Sequence, residues 1–188
     1  MKSIIEACLF ATSEPIRPGE FAKRMQWDES LVEQAMATLW AEYAERDGSG
    51  LAIVKVAGGY QMVTRPELSG EIGRFIAAGA PKSGLSRAAL ETLAIVAYRQ
   101  PVTVSEIEAV RGVSVDGVLK TLSERGLVAV SGRKDVPGRP LLYATTENFL
   151  RYFGLDSLQE LPALDFDAVE AAEDEQARHL VEQAVGIV

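Results

Sequence analysis

Laid on itself at a shift of 86 residues, the sequence matches in an ordered series. Pro15 and Pro101 stand 86 positions apart, and the same shift pairs Leu9 with Ile95 and Glu20 with Glu106. It also pairs Phe21 with Ile107, Val32 with Val118 and Met36 with Leu122. One such coincidence would mean little, but a collinear series within a repeated order of elements marks two copies of one module. The chain has 188 residues, room for two small domains, each with its own core.

In the first copy, Ile4, Ile5, Cys8 and Leu9 fall on one face of a helix expected over 2–12, which Glu14-Pro15 stops. Pro18 suits a first helical position, and Phe21 and Met25, four apart, give a second helix its expected buried stripe. Asp28 is a good N-cap for a longer third helix lined by Leu31, Val32, Ala35, Met36, Leu39, Trp40 and Tyr43. Two β runs, 51–56 and 60–64, flank Gly58-Gly59 as a hairpin turn, and 67–77 reads as a closing helix.

The second copy repeats this order. Leu90, Leu93, Ala94 and Ala97 give a helix face ending at Gln100-Pro101, and Thr103 to Glu106 reads as a capping box. Gly112 ends that helix, Ser114 is the expected cap of the next, and Val115, Val118, Leu119 and Leu122 its buried stripe. A hairpin over 127–130 and 141–145 follows, joined by a charged loop, and Thr146 is placed to cap a last helix. Three short helices and a hairpin make a winged helix. The expected fold is mainly α with small β-hairpin wings, in two tandem winged-helix domains, 1–79 and 86–160. A linker over 80–85 joins them and an acidic tail, 161–188, follows.

Charge is unevenly spread. The net is -3 over residues 1–79, +3 over 80–154 and -8 over 155–188. Chemistry-bearing groups are scarce: one histidine, His179, lies in the charged tail, and one cysteine, Cys8, sits on an apolar helix face. No phosphate loop or metal-ligand spacing occurs, so no catalytic, cofactor or metal site is expected. The start of the chain lacks a signal-peptide pattern and no run is long enough to span a bilayer, so a cytoplasmic protein is expected.

A winged helix invites a DNA-binding reading through its third helix. In the first module that helix carries Asp28, Glu29, Glu33, Glu42 and Glu45 against Arg46 alone, a poor match to phosphate. Arg99, Arg111, Arg125, Arg133, Lys134 and Arg139 would form a basic patch in the second module if the wing folds near helix three. A solvated rim, an acidic protein partner and DNA all fit such a patch. Met36, Trp40 and Tyr43 fit core packing, or a dimer interface, where aromatics and Met concentrate.

One long stretch resembles a known family. Ala89-Leu90-Glu91-Thr92-Leu93-Ala94-Ile95-Val96-Ala97-Tyr98-Arg99-Gln100-Pro101 resembles the start of the second domain of segregation and condensation protein B. Residues 107–113, 116–122, the run Gly132-Arg133-Lys134-Asp135-Val136-Pro137-Gly138-Arg139-Pro140 and Tyr143-Ala144-Thr145-Thr146 continue the likeness, strongest over about 85–165. The resemblance implies a homodimer paired through its first domains, bound to the kleisin ScpA and through it to the SMC ATPase head. It also implies a role in chromosome condensation and partition at the nucleoid, with DNA contact weak or indirect. The resemblance does not say which side chains make these contacts; the basic excess and wing of the second module make Arg133, Lys134, Arg139, Leu142 and Tyr143 the expected partner-binding residues, and the long third helix of the first makes Met36, Trp40 and Tyr43 the expected dimer contacts. The competing reading is a winged-helix transcription regulator that binds DNA.

Overall fold

The computed structural model describes residues 1–76 and 84–162. The chain divides into two compact units, Met1–Ser83 and Gly84–Val188.

In the first unit, α1 (Lys2–Ala11), α2 (Pro18–Met25) and α3 (Glu29–Glu45) precede the antiparallel hairpin of β1 (Leu51–Val56) and β2 (Gly59–Thr64). A 3-10 turn, Pro66–Leu68, then leads into α4 (Ser69–Ile76). The Asp28 carboxylate caps α3 by accepting from the Leu31 amide at 3.1 Å. At the other end Arg65 Nη2 donates to the carbonyls of Tyr43 and Arg46, at 3.0 and 2.9 Å. A cation thus covers helix-terminal acceptors where the dipole favours it. The core joins Ile5 and Leu9 of α1, Phe21, Val32, Met36 and Leu39, with Ile53 and Tyr60 from the hairpin.

Two expectations for this unit change. Ala57 and Gly58, with φ of 52° and 73°, make the hairpin turn, one residue earlier than Gly58-Gly59. Gly59 lies in β2 opposite Val56, where an added Cβ would stand 3.0 Å from the Ile16 backbone. Only glycine admits that approach, which brings Ile16 into a bridge with Tyr60. Of the expected stripes, Phe21 on α2 and Val32, Met36, Leu39 and Tyr43 on α3 are buried, whereas Met25, Leu31 and Trp40 are 37%, 51% and 40% exposed.

The second unit comprises α5 (Arg87–Arg99), β3 (Val102–Thr103), α6 (Val104–Arg111), α7 (Asp116–Glu124), β4 (Val128–Arg133), β5 (Leu141–Thr145) and α8 (Glu147–Phe153). The sheet order is β3-β5-β4, all antiparallel. β3 was not foreseen. It has the same role as the first unit's bridge: Ile16 meets Tyr60, and Val102, 86 positions on, meets Tyr143. The repeat therefore extends to a third strand, reduced to one residue pair in the first copy.

The capping box is present: Thr103 Oγ1 accepts from the Glu106 amide while Glu106 Oε2 accepts from the Thr103 amide, at 3.4 and 2.8 Å. Ser114 does not cap α7. Val115 occupies the N-cap position, and its amide donates to Glu108 Oε1 at 3.1 Å. On α5 Ala89, Thr92, Leu93, Ile95, Val96 and Ala97 are buried, a wider face than the expected one, with Leu90 and Ala94 half-buried. Of the expected tail, Leu161 packs on this unit's core and the Pro162 carbonyl accepts from the Tyr98 hydroxyl at 2.9 Å; the remainder, 163–188, lies outside the described residues.

Candidate partner interfaces

The wing of the second unit holds the five expected partner residues. β4 continues to Arg133, with a bulge between Val130 and Gly132, so the loop is shorter than the expected ten residues. Its tip is a turn, Val136 to Arg139, closed by the Arg139 amide on the Val136 carbonyl at 2.9 Å. Pro137 presets the first turn dihedral and Gly138, at φ 85°, supplies the positive angle of the second. Arg133 Nη1 spans the loop base to the Arg139 carbonyl at 3.0 Å.

The five residues separate by position. Arg133, at the end of β4, and Arg139, on the loop, are exposed. Lys134 is half-buried, its ammonium paired with Glu106 at 2.5 Å. Leu142 and Tyr143 lie half-buried on the sheet's central strand, and Tyr143 packs on the unit's own core. The Lys134 hydrogen bond, then that from the Thr103 amide, depresses the Glu106 carboxyl from 4.5 to about 2. A depressed carboxyl stabilises the fold above its unfolded value and loses that contribution as pH falls from about 4.5 towards 2. Glu106→Gln keeps a capping-box residue but removes the charge. It is expected to lower stability at pH 7 modestly, by under ~1 kcal/mol for so exposed a pair, read from the shift of the urea midpoint. The gap from the parent chain should narrow as pH falls below about 4.5 and close only near pH 2; a gap unchanged from pH 7 down to pH 2 would exclude the ionic contribution.

The expected basic patch is also thinned. Arg111 pairs with Glu91, which also accepts from Arg87 Nε at 3.1 Å. Lys120 faces Glu124 along α7 at 4.0 Å. Of the expected patch, Arg111 and Lys134 are thus offset by neighbouring carboxylates, as is Lys120 beside it.

The expected dimer trio divides as well. Met36 is fully buried and Tyr43 is 7% exposed, so the first unit's own core takes their surface. The Tyr43 hydroxyl donates to Glu6 Oε1 at 2.5 Å, a bond that, ahead of burial, raises its pKa above the ordinary value. Trp40 alone stays exposed, and Lys55 Nζ sits 4.6 Å from its ring centroid. Sequence spacing placed these three together because they share a helix side; it does not register that α1 and the hairpin cover two of them.

Among the described residues no group of three or more His, Cys, Asp or Glu is placed to hold a metal, and no helix is long and apolar enough to cross a membrane. Two winged-helix units in tandem, the first with an acidic third helix, define a protein of the tandem winged-helix class. The profile of the family described as segregation and condensation complex subunit ScpB matches residues 3–164. The chain belongs to the ScpB family and is a subunit of the segregation and condensation complex. It is 52% identical to segregation and condensation protein B of Symbiobacterium thermophilum over 170 residues, 90% of this chain and 76% of the relative. The crystal structure of ScpB from Mycobacterium tuberculosis shares 37% identity, with a TM-score of 0.39, over 82% of this chain and 94% of that one. A dimer of a ScpB N-terminal domain complexed with a ScpA peptide is 22% identical, with a TM-score of 0.37, over 40% of this chain and 93% of that one.

Proposed function

We propose that the chain is a non-catalytic adaptor, a homodimer that holds a ScpA-type kleisin and through it the SMC ATPase head at the nucleoid. The single observation that carries the reading is the family match across residues 3–164, which spans both units. The acidic third helix of the first unit supports it, since a net excess of carboxylates along α3 repels a phosphate backbone. Co-expression with the kleisin and the ATPase tests it directly. A stable three-component complex is expected, with ATP hydrolysis lost when the ATPase is withdrawn and kept when this chain is withdrawn. Turnover by this chain alone, or failure to retain the kleisin, would overturn the reading.

Within that function we assign kleisin steering to the loop of the second unit's wing, through Arg133 and Arg139. Charges on an exposed rim act mainly on the encounter rate. Reversing both to Glu is expected to slow association with the kleisin about tenfold at low salt, with the difference fading as the Debye length shrinks towards ~3 Å at 1 M. Lys134 is left in place because its loss would also disturb Glu106 and the start of α6. Stopped-flow association at two salt concentrations reads the effect; equal rates at low salt would remove the loop from the interface.

A further inference from the structure

One carboxylate ties both edges of the second unit's sheet together. Glu106 Oε2 accepts from the amide and the hydroxyl of Thr103, at 2.8 and 2.7 Å, and so holds the last residue of β3. Its Oε1 takes the ammonium of Lys134, 28 residues on and the first residue past β4. β3 and β4 are the outer strands of that sheet, with β5 between them. The side chain thus bridges the two edges and fixes where the loop leaves β4. The loop base closes at the same residue, the Lys134 amide donating to the Pro140 carbonyl at 2.9 Å. Arg139, next to Pro140, is held at φ 40°, in the left-handed region that a residue other than glycine occupies under constraint.

The repeat makes the same tie with other residues. In the first unit Arg17, at the N-cap of α2, donates from Nη2 to the Ala57 carbonyl in the hairpin turn, at 3.4 Å. Glu20, 86 positions before Glu106, turns instead along α2 to Arg24 at 2.5 Å. Both units therefore anchor the wing to the start of the second helix. Of the two, the second does so with an ion pair and has a loop to hold, where the first has a two-residue turn. The Lys134 and Glu106 side chains are 43% and 44% exposed, so their pairing adds little stability. What it supplies is geometry. Arg133 neighbours Lys134 and spans to the Arg139 carbonyl at 3.0 Å, so both wing cations hang from the tied segment. Holding side chains in their bound arrangement before encounter spares the ordering cost of binding.

We propose that Glu106 is a positioning residue: by holding Lys134 it sets the direction in which Arg133 and Arg139 face the kleisin. The proposal rests on the kleisin reading above and deepens it. Charge alone gives the opposite sign. Removing the Glu106 charge leaves the wing more positive, which would speed capture of an acidic partner if the carboxylate did no more than dilute the patch.

Glu106→Gln and Lys134→Met in the full chain test the assignment. The first keeps a capping-box side chain, and the second leaves both Thr103 bonds to Glu106 in place. Each is expected to weaken kleisin binding roughly three- to tenfold with circular dichroism unchanged, and the double variant to bind as weakly as either alone. Nitrogen-15 relaxation at the amides of Asp135, Val136, Gly138 and Arg139 should show the loop loosening alike in both, from order parameters near ~0.85 towards ~0.6. Binding by Glu106→Gln as tight as the parent's, or tighter, would overturn the positioning role. So would a double variant restored to parent affinity, defects that add in it, or loop order parameters unchanged in both single variants. A parent chain that retains no kleisin would overturn the adaptor reading instead, and leave the relaxation data to decide whether Glu106 holds the wing.

Discussion

Met36→Ala is expected to cost the first unit about 2–5 kcal/mol, the range for emptying a buried side chain's volume in a packed core. Met36 is fully buried among Ile5, Leu9, Phe21, Val32 and Tyr60, members of one cluster drawn from three helices and the hairpin. Few routes exist for that cluster to collapse inwards, because α3 is fixed at one end by the Asp28 cap and at the other by Arg65. Both tryptophans of the chain, Trp27 and Trp40, lie in this unit, so their fluorescence follows its unfolding and not that of the second. A urea titration at a concentration well above the dimer dissociation constant should show the midpoint falling sharply, with the second unit's circular dichroism retained. An unchanged midpoint together with a weakened dimer would return Met36 to an interface role.

The helices and the hairpins of both units were legible because their signals are local. Period-3.6 apolar spacing, Asp28, the Thr103 to Glu106 box and the αL glycines at 112 and 126 each act within one or two turns of chain. What escaped the sequence is non-local. β3 is two residues long and exists only because β5 is beside it. The hairpin turn moved to Ala57-Gly58 because Gly59 is reserved for the close approach of Ile16, 43 residues earlier in the chain. Val115 starts α7 without a side-chain cap because Glu108, a turn of α6 away, takes its amide.

The site residues were less legible for the same reason. Residue type marked Arg133 and Lys134 alike as loop cations. Only the folded wing shows that Lys134 reaches Glu106 on α6, while Arg133 stays exposed and spans the loop base. Met36, Trp40 and Tyr43 looked equivalent on a helical wheel, and the packing of α1 distinguishes them. Phe10 of α1 and Phe75 of α4, 73% and 87% exposed, went unremarked, since an isolated apolar residue on a short helix reads as core until the remainder of the unit is seen not to cover it.

Glu91→Ala is expected to destabilise the second unit by about 2 kcal/mol, a value set between the 3–5 kcal/mol of a broken buried pair and the small effect of an exposed one. Arg111 ends α6 with only 14% of its side chain exposed, and Glu91 of α5 is its carboxylate, itself 31% exposed. Its Nε has no hydrogen-bond partner among the described residues, so the guanidinium depends on that carboxylate for its compensation. Removing Glu91 strands a cation against the helix pair, and α5 packs on both α6 and α7, so the cost spreads through the core that includes Val96, Ile107 and Leu122. Replacing both members by apolar residues of similar volume, Glu91→Leu with Arg111→Met, is expected to recover most of the loss, because the desolvation cost of both charges disappears with the pair. Amide exchange across α5 and α7 measures the second unit alone. Protection should fall in Glu91→Ala and return in the double variant; a single variant within ~0.5 kcal/mol of the parent would place the pair among ordinary surface contacts.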